Sequence, residues 1–258
     1  MSTTTYGGTL DVSQTSQVPM GRLLKVELRK MVDTKAGMWL LIAIGVITTL
    51  AVVIFGLAGN DGDKTFSNFM GFAATPQGFL LPVLGILLVT QEWGQRTAMV
   101  TFTLEPHRSR VMAAKIYAAL LLGLAAIIVA IVVAALATLA FGTSGGFDDI
   151  TAIDFFKFGI LQVTGVLQGL AFGLIFLNSA AAIVTSFVLP IAFSIVANVW
   201  SALSDAAPWI DLGTAQGPLF DTGNLTGTEW TQLGVTIVIW VVAPFVAGLW
   251  RMLRAELK

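Results

Sequence analysis

The side chains able to do chemistry are few, and what is missing narrows the function early. The chain has no cysteine and one histidine, His107. That excludes disulfides, thiolate nucleophiles, cysteine-ligated metals and histidine-paired haem. No Gly-x-x-x-x-Gly-Lys-Ser/Thr run occurs, and no lysine follows a glycine, so the chain has no phosphate-cradling P-loop. A His-Glu-x-x-His zinc motif is equally absent. What remains is charge placed by position. Residues 91–115 hold a carboxylate, Glu92, then a Thr/Ala/Phe stretch, a proline at 106, and the basic run Arg108, Arg110 and Lys115. Such a set does not catalyse; it can dock a partner, although ordinary juxtamembrane charge would read similarly.

The elements that must position these residues follow from composition. The chain is 258 residues long, 56% hydrophobic and 11% charged, against roughly a quarter charged in soluble domains. Apolar residues come in blocks of about twenty, the length needed to cross a hydrocarbon core of about 30 Å. The pattern predicts six spans: Gly37 to Ala58, Pro76 to Glu92, Lys115 to Phe141, Phe155 to Leu177, Ala180 to Leu203, and Trp230 to Trp250. The second is started at Pro76 because proline favours the first helical position, leaving Phe66 to Ala74 as a separate short element. Residues 1–19 are polar and read as a disordered cytoplasmic tail ahead of a single transmembrane domain, 20–258. Over residues 20–34, Leu24, Leu28, Met31 and Val32 fall on one helical face and Arg22, Lys25 and Arg29 opposite, a basic amphipathic interface helix.

Charge sorting supplies an orientation. Twelve of the fourteen basic residues fall on the side carrying both termini; only Lys64 and Lys157 do not. With six of the fifteen acids on that side, the two faces carry about +6 and −7. The rule predicts cytoplasmic termini in a plasma (bacterial cytoplasmic) membrane. The extramembrane mass is then a cytoplasmic segment, 91–114, and an extracellular segment, 204–229, the latter a partly apolar cap of short turns. No Asp, Glu, Lys or Arg is expected in the span cores, which disfavours an ion-coupled transporter.

Within the spans, Gly165, Gly169 and Gly173 repeat every four residues and predict a close helix contact, inside the bundle in preference to a dimer seam. Gln162 and Gln168 are expected to bond to neighbouring helices. In the fifth span Pro190 accompanies Thr185, Ser186, Ser194 and Asn198; a kinked, mildly polar helix can line a pathway or bind its neighbours. Pro244 predicts a local bend.

Taken as an ensemble, residues 91–115 resemble the cytoplasmic coupling region of permeases of the type-2 ABC transporter (ABC-2 exporter) family. Glu92-Trp93, Arg96-Thr97, Pro106 to Arg110, and Ala114-Lys115 occupy the places of that region's Glu, Gly-Thr, Pro/Arg-rich and Ala-Lys elements. Arg96 stands where a glycine is common. The interface helix, six-span count, long outside segment and short basic end extend the resemblance over nearly the whole chain. It implies an all-α integral membrane fold with six transmembrane helices. It also implies a permease without its own ATPase site, paired with a second permease, as homodimer or with a paralogue. Two ATP-binding cassette subunits would carry ATP and Mg. Those subunits would grip Arg22, Lys25 and Arg29 together with Glu92, Arg96, Thr97, His107 and Arg108. Spans one, two and five line the path in such families, which makes Thr48, Thr49, Ser194 and Asn198 the lining candidates. An uncharged path implies an amphipathic or lipid-like cargo leaving the cell, with membrane lipid as the surroundings and no role for nucleic acid. A secondary transporter and a non-transporting assembly protein are the alternative readings.

Overall fold

A computed structural model describes residues 17–95, 97–143, 145–148 and 150–254, apart from the side chains at 198, 201 and 202. The tail expected to be disordered, up to residue 16, and Arg96 lie outside the described residues. Among those described, the chain is all-helical. Helix α1 (Met20–Asp33) is followed by the spans α2 (Lys35–Ala58) and α3 (Phe66–Gly94). The short α4 (Ala98–Leu104) leads to the spans α5 (Arg108–Phe141), α6 (Ala152–Phe176) and α7 (Ser179–Val199). Three turns, α8 (Ser201–Ser204), α9 (Ala207–Ile210) and α10 (Leu212–Gln216), precede the last span, α11 (Gly227–Ile237) and α12 (Ala243–Arg254), joined through a π-helical stretch, Val238–Val242. Six helices are thus long and apolar enough to cross a membrane, and the chain is a multi-pass integral membrane protein by that measure.

The second span differs from the expectation. Instead of a helix beginning at Pro76, α3 runs unbroken for 29 residues with Pro76 and Pro82 inside it. Each proline removes one ladder hydrogen bond. The segment before Pro76 nonetheless buries Phe66, Phe69, Met70, Ala73 and Ala74. Phe55 of α2 meets Phe69 edge-on at 5.3 Å and stacks on Phe72 at 4.0 Å. Within a membrane such burial stabilises through close van der Waals packing, and these contacts keep the segment helical despite the two missing bonds.

Helices α3 and α6 form the centre. In their apolar stretches 56% and 61% of residues are buried, against 17–28% in the other four spans. The glycines of α6 set their crossing. A β-carbon at Gly169 would lie 2.5 Å from the Pro82 carbonyl carbon and 2.6 Å from its Cα. Gly173 faces Ile86 at 3.2 Å, while Gly165 faces the Pro82 ring at an ordinary 3.7 Å. The stripe therefore packs within the chain, against α3. Two buried amides tie the same centre: Gln162 donates to the Gln77 carbonyl (2.7 Å), and Gln77 donates to the Ala126 carbonyl of α5 (3.0 Å).

The connection from α6 to α7 is made by Leu177, whose φ of 51° is left-handed, and by Asn178, whose side chain caps α7 at Ala181. A non-glycine residue there costs of order 1–3 kcal/mol, which packing must hold in place. At the end of the bundle away from α1, Asp154 and Lys157 form a buried pair at 2.9 Å. Lys157 donates onward to the carbonyls of Gly223 (2.9 Å) and Asp221, and Gly223 N–H donates back to Asp154. Asp211 accepts from Ser194 of α7 (3.0 Å) and from the Thr214 hydroxyl (2.6 Å) and amide (2.9 Å). Trp240 donates its indole N–H to the Ile210 carbonyl (2.8 Å). The expected cap of short turns is thus pinned to α6, α7 and the last span. Pro244 lies two residues beyond the π-helical stretch; the carbonyl four residues back, with which its ring would clash, is that of Trp240 inside the stretch, where the wider π turn relieves the clash.

Candidate functional site

The face where α1 begins and α12 ends is built around a buried set of charges. Positions 24, 27, 28 and 31 of α1 share one face of the helix, and Glu27 occupies one of them among Leu24, Leu28 and Met31. Val32, expected on that face, is exposed instead. Glu27 is 4% exposed, Glu92 at the end of α3 is 4%, and Lys115 of α5 is 3%. Lys115 Nζ lies 2.7 Å from Glu27, 3.2 Å from Glu92 and 2.8 Å from the Leu88 carbonyl. Lys30 bridges the same two carboxylates, at 2.7 Å from Glu27, and also bonds Glu92. Thr101 of α4 donates to Glu92 at 3.2 Å. Two lysines thus balance two glutamates and join α1, α3, α4 and α5. Burial works against the charge on Lys30, but Glu27 and then Glu92 outweigh it and hold its pKa above the ordinary lysine value of 10.5. A raised lysine stabilises fully below that ordinary value and loses its contribution only as pH climbs through the raised one, so this cation persists at physiological pH.

A second knot lies beside the first. Glu105, also 4% exposed, pairs with Arg110 (3.4 Å) and with His107 Nδ1 (3.1 Å). Arg110 in turn donates to the Gln17 side chain (2.7 Å) and the Val18 carbonyl (2.5 Å). Arg108 lies over the Phe102 ring at 5.0 Å and donates to the carbonyls of Met252 and Leu253, each at 3.1 Å, closing the C-terminal end of α12. Arg251 bonds the Ile175 carbonyl of α6. A cation on the last carbonyls of a helix contributes about 1 kcal/mol. Arg108→Gln is therefore expected to speed tryptic cleavage after Arg251 about five-fold; an unchanged rate would show that the cap does not hold this end.

Between α1 and α4 runs a cleft of about 590 Å³. Leu23 and Val26 line one wall, Val100 and Leu104 the other, and Val111 closes the floor. The three glutamates lie along it, each tied by its cations.

The residues singled out in the sequence fall into groups. Arg22, Lys25 and Arg29 lie exposed along α1, Arg22 at the rim of the cleft and Arg29 paired with Asp33 at 2.9 Å. Thr97 is exposed beside the cleft, and its N–H donates to the Glu92 carbonyl at 2.9 Å. Glu92, expected to meet a partner directly, faces inward. The physical reason is Lys115, whose buried charge needs a buried counter-ion. His107 and Arg108 are engaged as described above. The path candidates lie on two helices, α2 and α7. On α2, Thr48 is buried and its hydroxyl has no partner among the described residues, whereas Thr49 points outward and donates to the Gly45 carbonyl at 2.8 Å. Ser194 is spent on Asp211, and the Asn198 side chain lies outside the described residues.

Sequence reasoning missed Glu27, Lys30 and Lys115 as a unit. One signal was available: a glutamate on an apolar helical stripe must be paired wherever that stripe is buried. Among the described residues, no group of three or more His, Asp or Glu side chains could hold a metal ion. Compared with known proteins, the chain matches no family model, and no curated protein matches it.

Proposed function

We propose that the chain is the membrane-spanning permease subunit of an ATP-binding cassette exporter. In this reading the termini and the α1/α4 cleft face the cytoplasm, and a separate subunit supplies ATP hydrolysis. The observation that carries it is the ion cluster of Glu27, Lys30, Glu92 and Lys115. It makes α1 and α4 the two walls of one receptor and ties both to the ends of α3 and α5. A push on that receptor reaches the spans through bonded charges instead of through a loose loop. Arg22, Lys25, Thr97 and His107 supply the accessible contacts. Glu92 and Arg108 act from beneath as positioning residues. The outward apolar faces of α2 and α7, with Leu50, Ile54, Val188 and Ile195 exposed, suit lipid or a second permease. The cargo class is amphipathic or lipid-like, moved out of the cell.

The test is reconstitution. Purified from its native membrane, the tagged chain is expected to carry a P-loop subunit in equal amount. The pair should hydrolyse ATP in proteoliposomes and drive an amphipathic dye across them. Deleting residues 22–33 should abolish both subunit association and ATP-driven movement. Dye transport sustained by this chain with no P-loop subunit present would overturn the proposal.

A further inference from the structure

We infer that the chain covers its own α1/α4 cleft with residues 6–12, an autoinhibitory segment that the ATP-binding subunit must displace. The cleft sets the requirement. Both walls are apolar and open: Val26 of α1 and Val100 of α4 are exposed, and Leu104 is 75% exposed. Apolar side chains facing one another across a cleft gain from anything apolar laid between them. The accessible charge at the edge is positive, because Arg22 and Lys25 are exposed, whereas Glu27, Glu92 and Glu105 are buried and already bonded to lysine or arginine. An occupant therefore needs apolar groups on one side and an acid on the other.

The residues before Gln17 meet both needs and start from the cleft wall. Arg110 donates to the Gln17 side chain at 2.7 Å and to the Val18 carbonyl at 2.5 Å. Val18 lines the cleft, and so does Glu105, the carboxylate that pairs with Arg110. Upstream the sequence reads Tyr6-Gly-Gly-Thr-Leu-Asp-Val12, and Asp11 is the one charged side chain in residues 1–16. In extended backbone alternate residues share a face, so Tyr6, Leu10 and Val12 turn one way and Asp11 the other. Leu10 and Val12 then seat between the walls, and Asp11 meets Arg22. Six residues carry the chain from Val18 to Val12, a reach of at most about 20 Å, which matches the roughly 21 Å length of the 14-residue α1. A tether this short holds the segment at an effective concentration in the millimolar range, so two apolar side chains and one ion pair suffice to keep the cleft covered. An anionic lipid has no such tether, and its phosphate would face the three carboxylates that line the cleft.

The covering stands on the cleft alone, while the displacement rests on the proposed function. The chain has no cysteine, so an introduced pair reports without background. The full chain, one copy per zwitterionic nanodisc, carries Leu10→Cys with either Leu104→Cys or Ser109→Cys. Ser109 is exposed, adjoins Arg110 and does not line the cleft, so a segment with no preferred seat would reach both positions alike. Under copper phenanthroline the Leu104 pair is expected to form its disulfide at least ten-fold faster than the Ser109 pair. Asp11→Lys should slow it at least five-fold, and adding Arg22→Glu should restore it. Leu104 and Ser109 are both exposed, so the fold is not at risk. Equal rates at the two positions, or a rate indifferent to Asp11→Lys, overturns the inference. In discs holding two copies, disulfides that join chains but never close within one would assign the cleft to a second copy and also overturn it. The displacement has its own measurement: deleting residues 2–14 should raise the affinity for the P-loop subunit at least three-fold. A subunit that binds the shortened and full chains alike sinks the autoinhibitory role. A chain that closes the Leu104 disulfide yet recruits no P-loop subunit in either form sinks only the proposed function.

Discussion

Lys115→Met is expected to destabilise the protein by about 3–5 kcal/mol, the cost of stripping a buried pair of its partner. Lys115 is the inner of the two cations, bonded to Glu27, Glu92 and the Leu88 carbonyl. Without it, two buried carboxylates share Lys30 alone, and the least costly escape is for α1 to leave the bundle and hydrate Glu27. Two measurements report this: the midpoint of unfolding in detergent falls, and trypsin cuts at Lys30 and Lys35 much faster than in the wild type. The control is the combination Glu27→Gln, Glu92→Gln and Lys115→Met, which removes the three buried charges of the cluster and leaves only Lys30, 32% exposed at its side chain. That combination is expected to regain most of the loss, because replacing a whole buried network is far less damaging than halving one. A single variant as stable as the wild type would mean that the cluster does not hold α1.

Gly169→Ala should be nearly as disruptive. Its new methyl group would enter the backbone of Pro82, with the carbonyl carbon at 2.5 Å, and no side chain stands there to step aside. Helices α3 and α6 must separate by a large fraction of an ångström along the most buried contact in the molecule. Overpacking typically costs about 1–3 kcal/mol, and more where backbone must move. The same substitution at Gly165, where the nearest atoms lie 3.7 Å away, is expected to be neutral to within about 0.5 kcal/mol. Unfolding midpoints of the two variants check the contrast directly. If both were equally mild, the glycines would be packing against something other than α3. If Gly165→Ala alone blocked dimer formation without loss of stability, the stripe would serve a seam between copies.

These two sites also mark what the sequence could and could not disclose. The α6 glycines announce a close approach by their four-residue period, but nothing local names Pro82 as the partner. The six spans were legible because charge-free stretches of about twenty residues have few other uses, and the basic sorting gave both termini one side. The start of α3 was not legible. Pro76 satisfies the rule for a first helical residue, and only the tertiary burial of Phe66, Phe69 and Met70 overrides it. Around α1 and α4, Arg22, Lys25 and Thr97 could be read as accessible groups, whereas the inward turn of Glu92 depends on Lys115 and Glu27. Those two residues are 88 positions apart in the chain, and their pairing is a property of the packed bundle. The pair of Asp154 and Lys157 was visible at three-residue spacing, but its purpose depends on carbonyls at 221 and 223.

The π-helical stretch at Val238–Val242 has a bearing on how this protein can change over evolutionary time. Such a stretch is an α-helix with one residue too many, and each residue turns the helix by about 100°. Upstream of it, Leu233 is buried in the bundle, and within it Trp240 is aimed at the Ile210 carbonyl; downstream, Gly248 and Arg251 are aimed at α6. The stretch therefore acts as a phase joint, letting the two halves of one span keep different azimuths. Losing a single residue there would tidy the hydrogen bonding and leave one half misaligned, so a one-residue deletion at this point is expected to cost more than an apolar substitution.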